Sequence, residues 1–327
     1  MRSGGTVYAT GGRGRVMFYD RAMTRRAPLA ACLLLFGCVS AQSSGTPSTL
    51  QAAAFDGNRA FEHLKQIVGI GPRPAGSEAL GKTREYIKRQ MSALSLTVSE
   101  QSFQADTPAG RVPMVNLSVR MPGGSGTKRL IVAGHYDTKL FKEFAFVGAN
   151  DAGSSTAFLI ELARVLKDRK NEVPIELLFL DGEEAFGDWE SGNTFGSRHY
   201  VDDARKAGTL NQIGALVLVD MIGEKDPVFK RDENSTPWMV DAVWSAARRL
   251  NRPEFVAEPT AIEDDHMPFT AAGIPAVDII DLDYPDEATR RFWHTAEDTL
   301  DKLSPQSLQV VADVLLAALP AIELRLR

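Results

Sequence analysis

Four short segments, far apart in a chain of 327 residues, place acidic or imidazole side chains directly after apolar runs. They are Gly134-His135-Tyr136-Asp137, Ala149-Asn150-Asp151, Asp181-Gly182-Glu183-Glu184 and Trp293-His294-Thr295. Carboxylates and imidazoles without cysteine form the ligand set of catalytic zinc. Residues two apart on an extended backbone share a side, which places Asp137 to orient His135 as metal-bound histidines are commonly supported. Asp151, before a helical stretch, reads equally as an N-cap, although Ser154 and Ser155 behind it are capping-competent. Glu183-Glu184 is harder to read as ordinary loop. Two adjacent carboxylates behind the apolar run Leu177–Leu180 repel if both leave water. A cation bound to one relieves that repulsion and frees the other as a general base. Asp220 and the cluster Asp264-Asp265-His266 are further candidates. The five histidines, His63, His135, His199, His266 and His294, allow a site of one or two imidazoles with carboxylates, and their count leaves a three-histidine site open.

Other chemistries lack their residues. A Gly-x-Ser-x-Gly nucleophile elbow is missing, since Gly153-Ser154-Ser155-Thr156 does not form one. No phosphate-cradling Gly-x-x-x-x-Gly-Lys occurs. The two cysteines, Cys32 and Cys38, both lie near the N-terminus. The net charge of -5 and the lack of a Lys/Arg stripe argue against a nucleic-acid partner. Metal-assisted chemistry is what remains.

The elements that must position these residues are legible in part. Phe61, Leu64 and Ile67 predict a helix over 58–68, and Gly71-Pro72-Arg73-Pro74 then breaks the chain. Ser77 caps a second helix through Leu94, with Leu80, Ile87 and Met91 inward. Leu96–Phe103, Met114–Met121 and Leu130–Gly134 read as extended, with Pro122-Gly123-Gly124-Ser125-Gly126 as a hairpin turn between the last two. Phe158, Leu159, Leu162, Val165 and Leu166 predict a helix over 156–166. Ile175–Leu180, Ala215–Val219 and Ala276–Ile280 are continuous apolar runs, typical of strands covered on both faces. Ser304-Pro305 opens a last helix with Leu308, Val311, Leu315 and Leu319 buried. Strands alternating with helices imply an α/β fold: one domain whose mixed, mostly parallel central sheet is flanked by helices. Such a sheet collects its strand ends, and the charged motifs behind them, on one edge.

Residues 1–41 read as an N-terminal extension and signal peptide, with translation starting at Met23. Met23-Thr24-Arg25-Arg26 is basic, Ala27–Phe36 is apolar, and Val39-Ser40-Ala41 offers small residues for cleavage. The apolar run falls short of the roughly 20 residues of a transmembrane helix. Leu35-Phe36-Gly37-Cys38 resembles a bacterial lipoprotein signal with Cys38 as a lipid anchor. The expected location is the periplasm of a bacterium, free or membrane-anchored. Removing residues 1–41 leaves 31 basic and 41 acidic residues and no cysteine, so no internal disulfide is expected. Residues 42–54 read as a linker and 55–327 as a single catalytic domain.

Gly71-Pro72-Arg73-Pro74-Ala75-Gly76-Ser77, Gly134-His135-Tyr136-Asp137, Gly148-Ala149-Asn150-Asp151, Gly182-Glu183-Glu184, Asp265-His266 and Trp293-His294-Thr295 together resemble, in this order, the zinc aminopeptidase family that also contains the glutaminyl cyclases. Asp181–Phe186 with Trp189 behind it, Asp264-Asp265-His266-Met267-Pro268-Phe269 and Phe292-Trp293-His294-Thr295 resemble the cyclase branch. The resemblance implies Asp151, Glu184 and His294 as zinc ligands and Glu183 as the proton-transferring group. It implies Asp220 and Asp265 as an acidic network beside Glu183, and Trp189, Trp293 and His135 as pocket residues. It implies one zinc ion and a monomer that converts the N-terminal glutamine of peptides or proteins to pyroglutamate. The alternative is a two-zinc aminopeptidase, in which His135 and Asp220 hold a second ion and Asp151 bridges. A binding module that had lost catalysis would be expected to have lost ligands, whereas every candidate ligand is present.

Overall fold

The computed structural model of the protein describes residues 54–124 and 126–327. The expected signal segment, Cys38 and nearly all of the linker lie outside the described residues.

Helix α1 (Gly57–Val68) starts at Asp56, whose carboxylate accepts the amides of Asn58 and Arg59, and it buries Ala60, Leu64 and Ile67. Helix α2 (Glu78–Ala93) starts at Ser77, whose hydroxyl accepts the Leu80 amide, and it buries Leu80, Ile87 and Met91. Both agree with the apolar spacing to within a residue or so. Strands β1 (Val98–Thr107) and β2 (Gly110–Met121) form an antiparallel hairpin turning at Pro108-Ala109. Only Ala105 of β1 is buried, so its polar end past Phe103 gives no apolar pattern to read. Then follow β3 (Arg129–His135), α3 (Ser155–Asp168), β4 (Ile175–Leu180), α4 (Phe195–Lys206) and β5 (Ile213–Asp220). The chain continues through β6 (Phe229–Asp232), α5 (Pro237–Arg249), β7 (Phe255–Thr260), α6 (Met267–Ala271), β8 (Ala276–Ile280) and α7 (Pro305–Leu326).

The central sheet has the order β1-β2-β4-β3-β5-β8, antiparallel across β1, β2 and β4 and parallel from β4 to β8. Side chains alternate across it. Leu130, Val132, Leu177, Phe179, Val217 and Val219 pack against the helices α1, α3 and α7 on one face. Ile131, Ala133, Leu178, Leu180, Leu216 and Leu218 meet α4 and α6 on the other. α7 is the one described helix long and apolar enough to cross a membrane, but most of that apolar stretch is buried inside the fold. β6 and β7 pair as a separate two-stranded sheet. These short strands, and α4 and α5, show little of the patterning from which the other elements were expected.

One expectation is overturned. Pro122–Gly126 is not a hairpin turn, because β4 lies between β2 and β3. The wholly buried β3 takes parallel partners on both sides, and hydropathy alone does not say which strands adjoin. The glycines serve a crossing instead. The Gly124 amide donates to Asn171 O at 3.0 Å. A Cβ at Gly123 would lie 2.0 Å from the Val173 carbonyl, on the approach to β4. Gly123→Val should therefore lower stability by about 1–3 kcal/mol, read as a lowered urea midpoint. Gly126→Ala, where the nearest atom would be 3.5 Å away, should change it by less than about 0.5 kcal/mol.

Candidate active site

The parallel strands end on one edge, as an open α/β sheet requires of its active site. β3 delivers His135 there, the turn after β4 delivers Glu183 and Glu184, and β5 delivers Asp220. Asp151 sits on the turn that enters α3, Asp264 and Asp265 just before α6, and His294 on the connection from β8 to α7. Around Asp151 two groups form. His294 Nε2 lies 3.2 Å from Asp151 Oδ2 and 3.3 Å from Glu184 Oε1. His135 Nε2 lies 3.2 Å from Asp151 Oδ1 and 3.1 Å from Asp220 Oδ1. The two carboxylate oxygens of Asp151 thus serve different histidines. Tetrahedral zinc, with ligand atoms about 2.0–2.1 Å from the ion, separates those atoms by about 3.3 Å. The donor set and its spacing therefore fit zinc at Asp151, Glu184 and His294, and the second triplet has the same character.

The other histidines are elsewhere. His63 Nδ1 lies 2.7 Å from the Tyr86 hydroxyl, His199 stacks on Phe103, and His266 is buried 3.2 Å from Asp232. The three-histidine site left open by the count is not formed among the described residues. His135 is also not a pocket residue: it is 1% exposed and lies behind Asp151 and Asp220, off the cavity wall. Asp137 does not hold His135 in a hydrogen bond, its nearest oxygen being 3.6 Å from Nδ1. β3 ends at His135, so strand alternation does not carry through to Asp137. The Asp137 oxygens instead accept the amides of Glu183 at 3.2 Å and Glu184 at 3.4 Å, fixing the turn that presents both glutamates.

A cavity of about 390 Å³ opens above these groups. Glu183, Glu184, Asp151, Asp220 and His294 line its floor, and Trp189, Ile262, Leu282 and Trp293 its walls. The Trp293 indole stacks on the His294 ring at 4.3 Å between centroids, while Phe146 meets that ring edge-on. Of the acidic pair before α6, Asp264 lines the cavity. Asp265 is turned away, accepting a hydrogen bond from Ser197 of α4. Adjacent aspartates look alike in sequence, and only the entry into α6 decides which one faces the cavity.

Burial governs the charges. It pushes Glu183 well above the usual carboxylate range; His135 pulls it back, and Asp264, Glu184 and Asp265 add repulsion. Burial also raises Glu184, Asp220 and Asp264, and lifts Asp265 to about 7. For His294, burial is outweighed by Glu184 and Asp151, which raise it to about 10. Asp151 stays below the usual range despite burial, because both histidines donate to it. A floor with this excess of acid is suited to a cation.

Two residues missed as functional hold the ligand loops. Asp298 accepts the Asn150 amide at 2.8 Å on one oxygen and the Asp151 amide at 3.2 Å on the other. The Tyr284 hydroxyl donates to Asp298 as well. The fully buried Arg73 donates to Tyr136 O at 3.2 Å, Val147 O at 2.6 Å and Gly148 O at 2.8 Å. Its guanidinium joins the end of β3 to the Asp151 turn, which gives the Gly71–Pro74 motif its purpose. Burial lowers it to about 10, with Asp298, Asp151 and Asp137 opposing, so it stays a cation at neutral pH.

The family model for peptidase family M28 matches residues 116–319. The glutaminyl-peptide cyclotransferase of Drosophila melanogaster is 30% identical over 266 residues, covering 72% of this chain and 73% of the relative. The crystal structure of an Acidobacteriales bacterium glutaminyl cyclase superposes with a TM-score of 0.79 at 38% identity, covering 86% of this chain and 99% of that one. The glutaminyl cyclase of Porphyromonas gingivalis gives a TM-score of 0.74 at 28% identity, over 82% of this chain and 98% of that one.

Removing the buried cation leaves three carbonyls without their donor and nearby acids without a counter-charge. Arg73→Met should cost about 3–5 kcal/mol, read in thermal melts, and should weaken zinc retention against a chelator. Arg73→Lys, which keeps the charge but not the fork of donors, should fall between.

Proposed function

The chain belongs to peptidase family M28, in the branch of the glutaminyl-peptide cyclotransferases, and on that footing we propose that it converts the N-terminal glutamine of peptides or proteins to pyroglutamate with release of ammonia. The observation that carries this reading is a buried Glu183, its carboxyl raised above the usual range by desolvation, beside the Asp151–Glu184–His294 triplet in a cavity lined by Trp189 and Trp293. When bound at that triplet, zinc supplies a Lewis acid for the γ-carbonyl of the glutamine. Glu183 takes a proton from the α-amine as that nitrogen bonds to the γ-carboxamide carbon. It returns the proton to the amide nitrogen, which leaves as ammonia as its C–N bond breaks. A group held above the ordinary carboxylate range by burial is matched to both steps. Asp220 and Asp264 line the same cavity as Glu183, and repulsion from Asp264 and Asp265 helps to raise its carboxyl; Asp265 is anchored on Ser197. The ring closes within the substrate, so proximity comes from the glutamine itself. The walls have to exclude water, for which Trp189, Ile262, Leu282 and Trp293 are suited. An exported monomer completes the proposal, export resting on the Met23–Ala41 pattern.

The second triplet, His135, Asp151 and Asp220, gives a second reading its footing: a two-zinc aminopeptidase with Glu183 as the base for water. Protein purified without added zinc should contain one zinc per chain by elemental analysis and release ammonia from Gln-peptides. Two zinc ions, with release of free leucine or alanine from Leu- or Ala-peptides and no cyclisation, would sink the cyclase reading. Glu183→Gln should lower kcat by about a hundred- to ten-thousand-fold while leaving zinc content unchanged. His135→Ala should abolish a two-zinc peptidase and harm a one-zinc cyclase less.

A further inference from the structure

Glu263 lines the same cavity but differs from every other carboxylate there. Asp151, Glu183, Glu184, Asp220 and Asp264 are buried, whereas Glu263 is exposed at the mouth. Its Oε2 accepts the indole N–H of Trp189 at 3.0 Å, which ties the Trp189–Ser191 turn to the segment entering α6 and fixes where the charge sits. Among the described residues it makes no ion pair within 4 Å. The one lysine or arginine in the lining, Lys139, is turned inward: its Nζ donates to Ala185 O at 3.1 Å and lies 3.7 Å from Glu184 Oε2. The mouth therefore carries a fixed, uncompensated negative charge bonded to an indole.

An indole attracts a cation to its face, and a neighbouring carboxylate pairs with the same cation. With the first residue of a substrate on the cavity floor, an extended chain carries its second residue roughly 3.3–3.6 Å outward, toward this rim. We propose that Glu263, held by Trp189, determines specificity at the second residue and selects peptides with Lys or Arg after the N-terminal glutamine. The inference rests on the cyclase reading and names the substrate class for it.

The test compares kcat/KM for ammonia release from Gln-Lys, Gln-Ala and Gln-Glu peptides that share a blocked C-terminus. Attraction in one and repulsion in another, each of the size of an exposed ion pair, should favour Gln-Lys over Gln-Glu by about five- to tenfold. The difference should appear in KM rather than kcat and shrink toward one at about 1 M salt. Glu263→Gln keeps an acceptor for the Trp189 indole and removes the charge, so the ratio should fall at least severalfold; Glu263→Lys should invert it. Each ratio is internal to one variant, so a change in overall turnover does not obscure it. Equal use of the three peptides, or a ratio that Glu263→Gln leaves intact, overturns the inference alone. Failure of all three peptides to release ammonia overturns the cyclase reading and this inference with it.

Discussion

Mutual repulsion among carboxylates withdrawn from water is the constraint to which this structure answers. Asp151, Glu183, Glu184, Asp220 and Asp264 face one cavity, and each loses hydration there. The chain compensates in three ways. His135 and His294 sit between the acids, the Nε2 of each within 3.3 Å of two carboxylate oxygens. Arg73 places a buried positive charge behind the loops. Asp137 and Asp298 spend their own charge on backbone amides, holding the segments that bear Glu183, Glu184 and Asp151. What these leave unbalanced is at the floor itself, where a metal ion would complete the compensation and where burial raises the Glu183 carboxyl above its usual range.

The sheet makes the gathering feasible. β3, β4 and β5 are parallel neighbours with inner faces of Val, Leu, Ile and Phe, and their common direction brings His135, Glu183 and Asp220 to one edge without any local sequence relation. Backbone at this edge is tight. At Gly148 a Cβ would lie 2.0 Å from Asp151 O, so only glycine lets the turn bring the Asp151 carboxylate between two histidines.

Much of this was legible in the sequence. Strands covered on both faces show as unbroken apolar runs, so β4, β5 and β8 were found to within two residues, and the caps at Ser77 and Ser304 marked their helices. The candidate ligands stood out because carboxylates and imidazoles directly after such runs have few other reasons to be there, and the structure brings them together. What failed was relational. Strand order is set by partners far along the chain, which turned a glycine-rich crossing into an apparent hairpin. Whether Asp264 or Asp265 faces the cavity depends on the direction in which α6 begins, and Asp137 was read as the support of His135 because strand alternation was carried past the end of β3. Arg73 and Asp298 were missed as clamps because their partners are main-chain atoms, which carry no sequence signature.

The Asp298 clamp has a consequence for the order in which the site is assembled. Asp298 lies beyond β8, near the start of the last helix, yet it fixes the turn that presents Asp151. On a ribosome, the whole parallel sheet is synthesised before this carboxylate emerges. The sheet edge then exists first as a set of acids without its final anchor, and His294, a few residues earlier, arrives almost together with it. The Asp151 turn therefore takes its final anchor from a residue made after every strand of the central sheet.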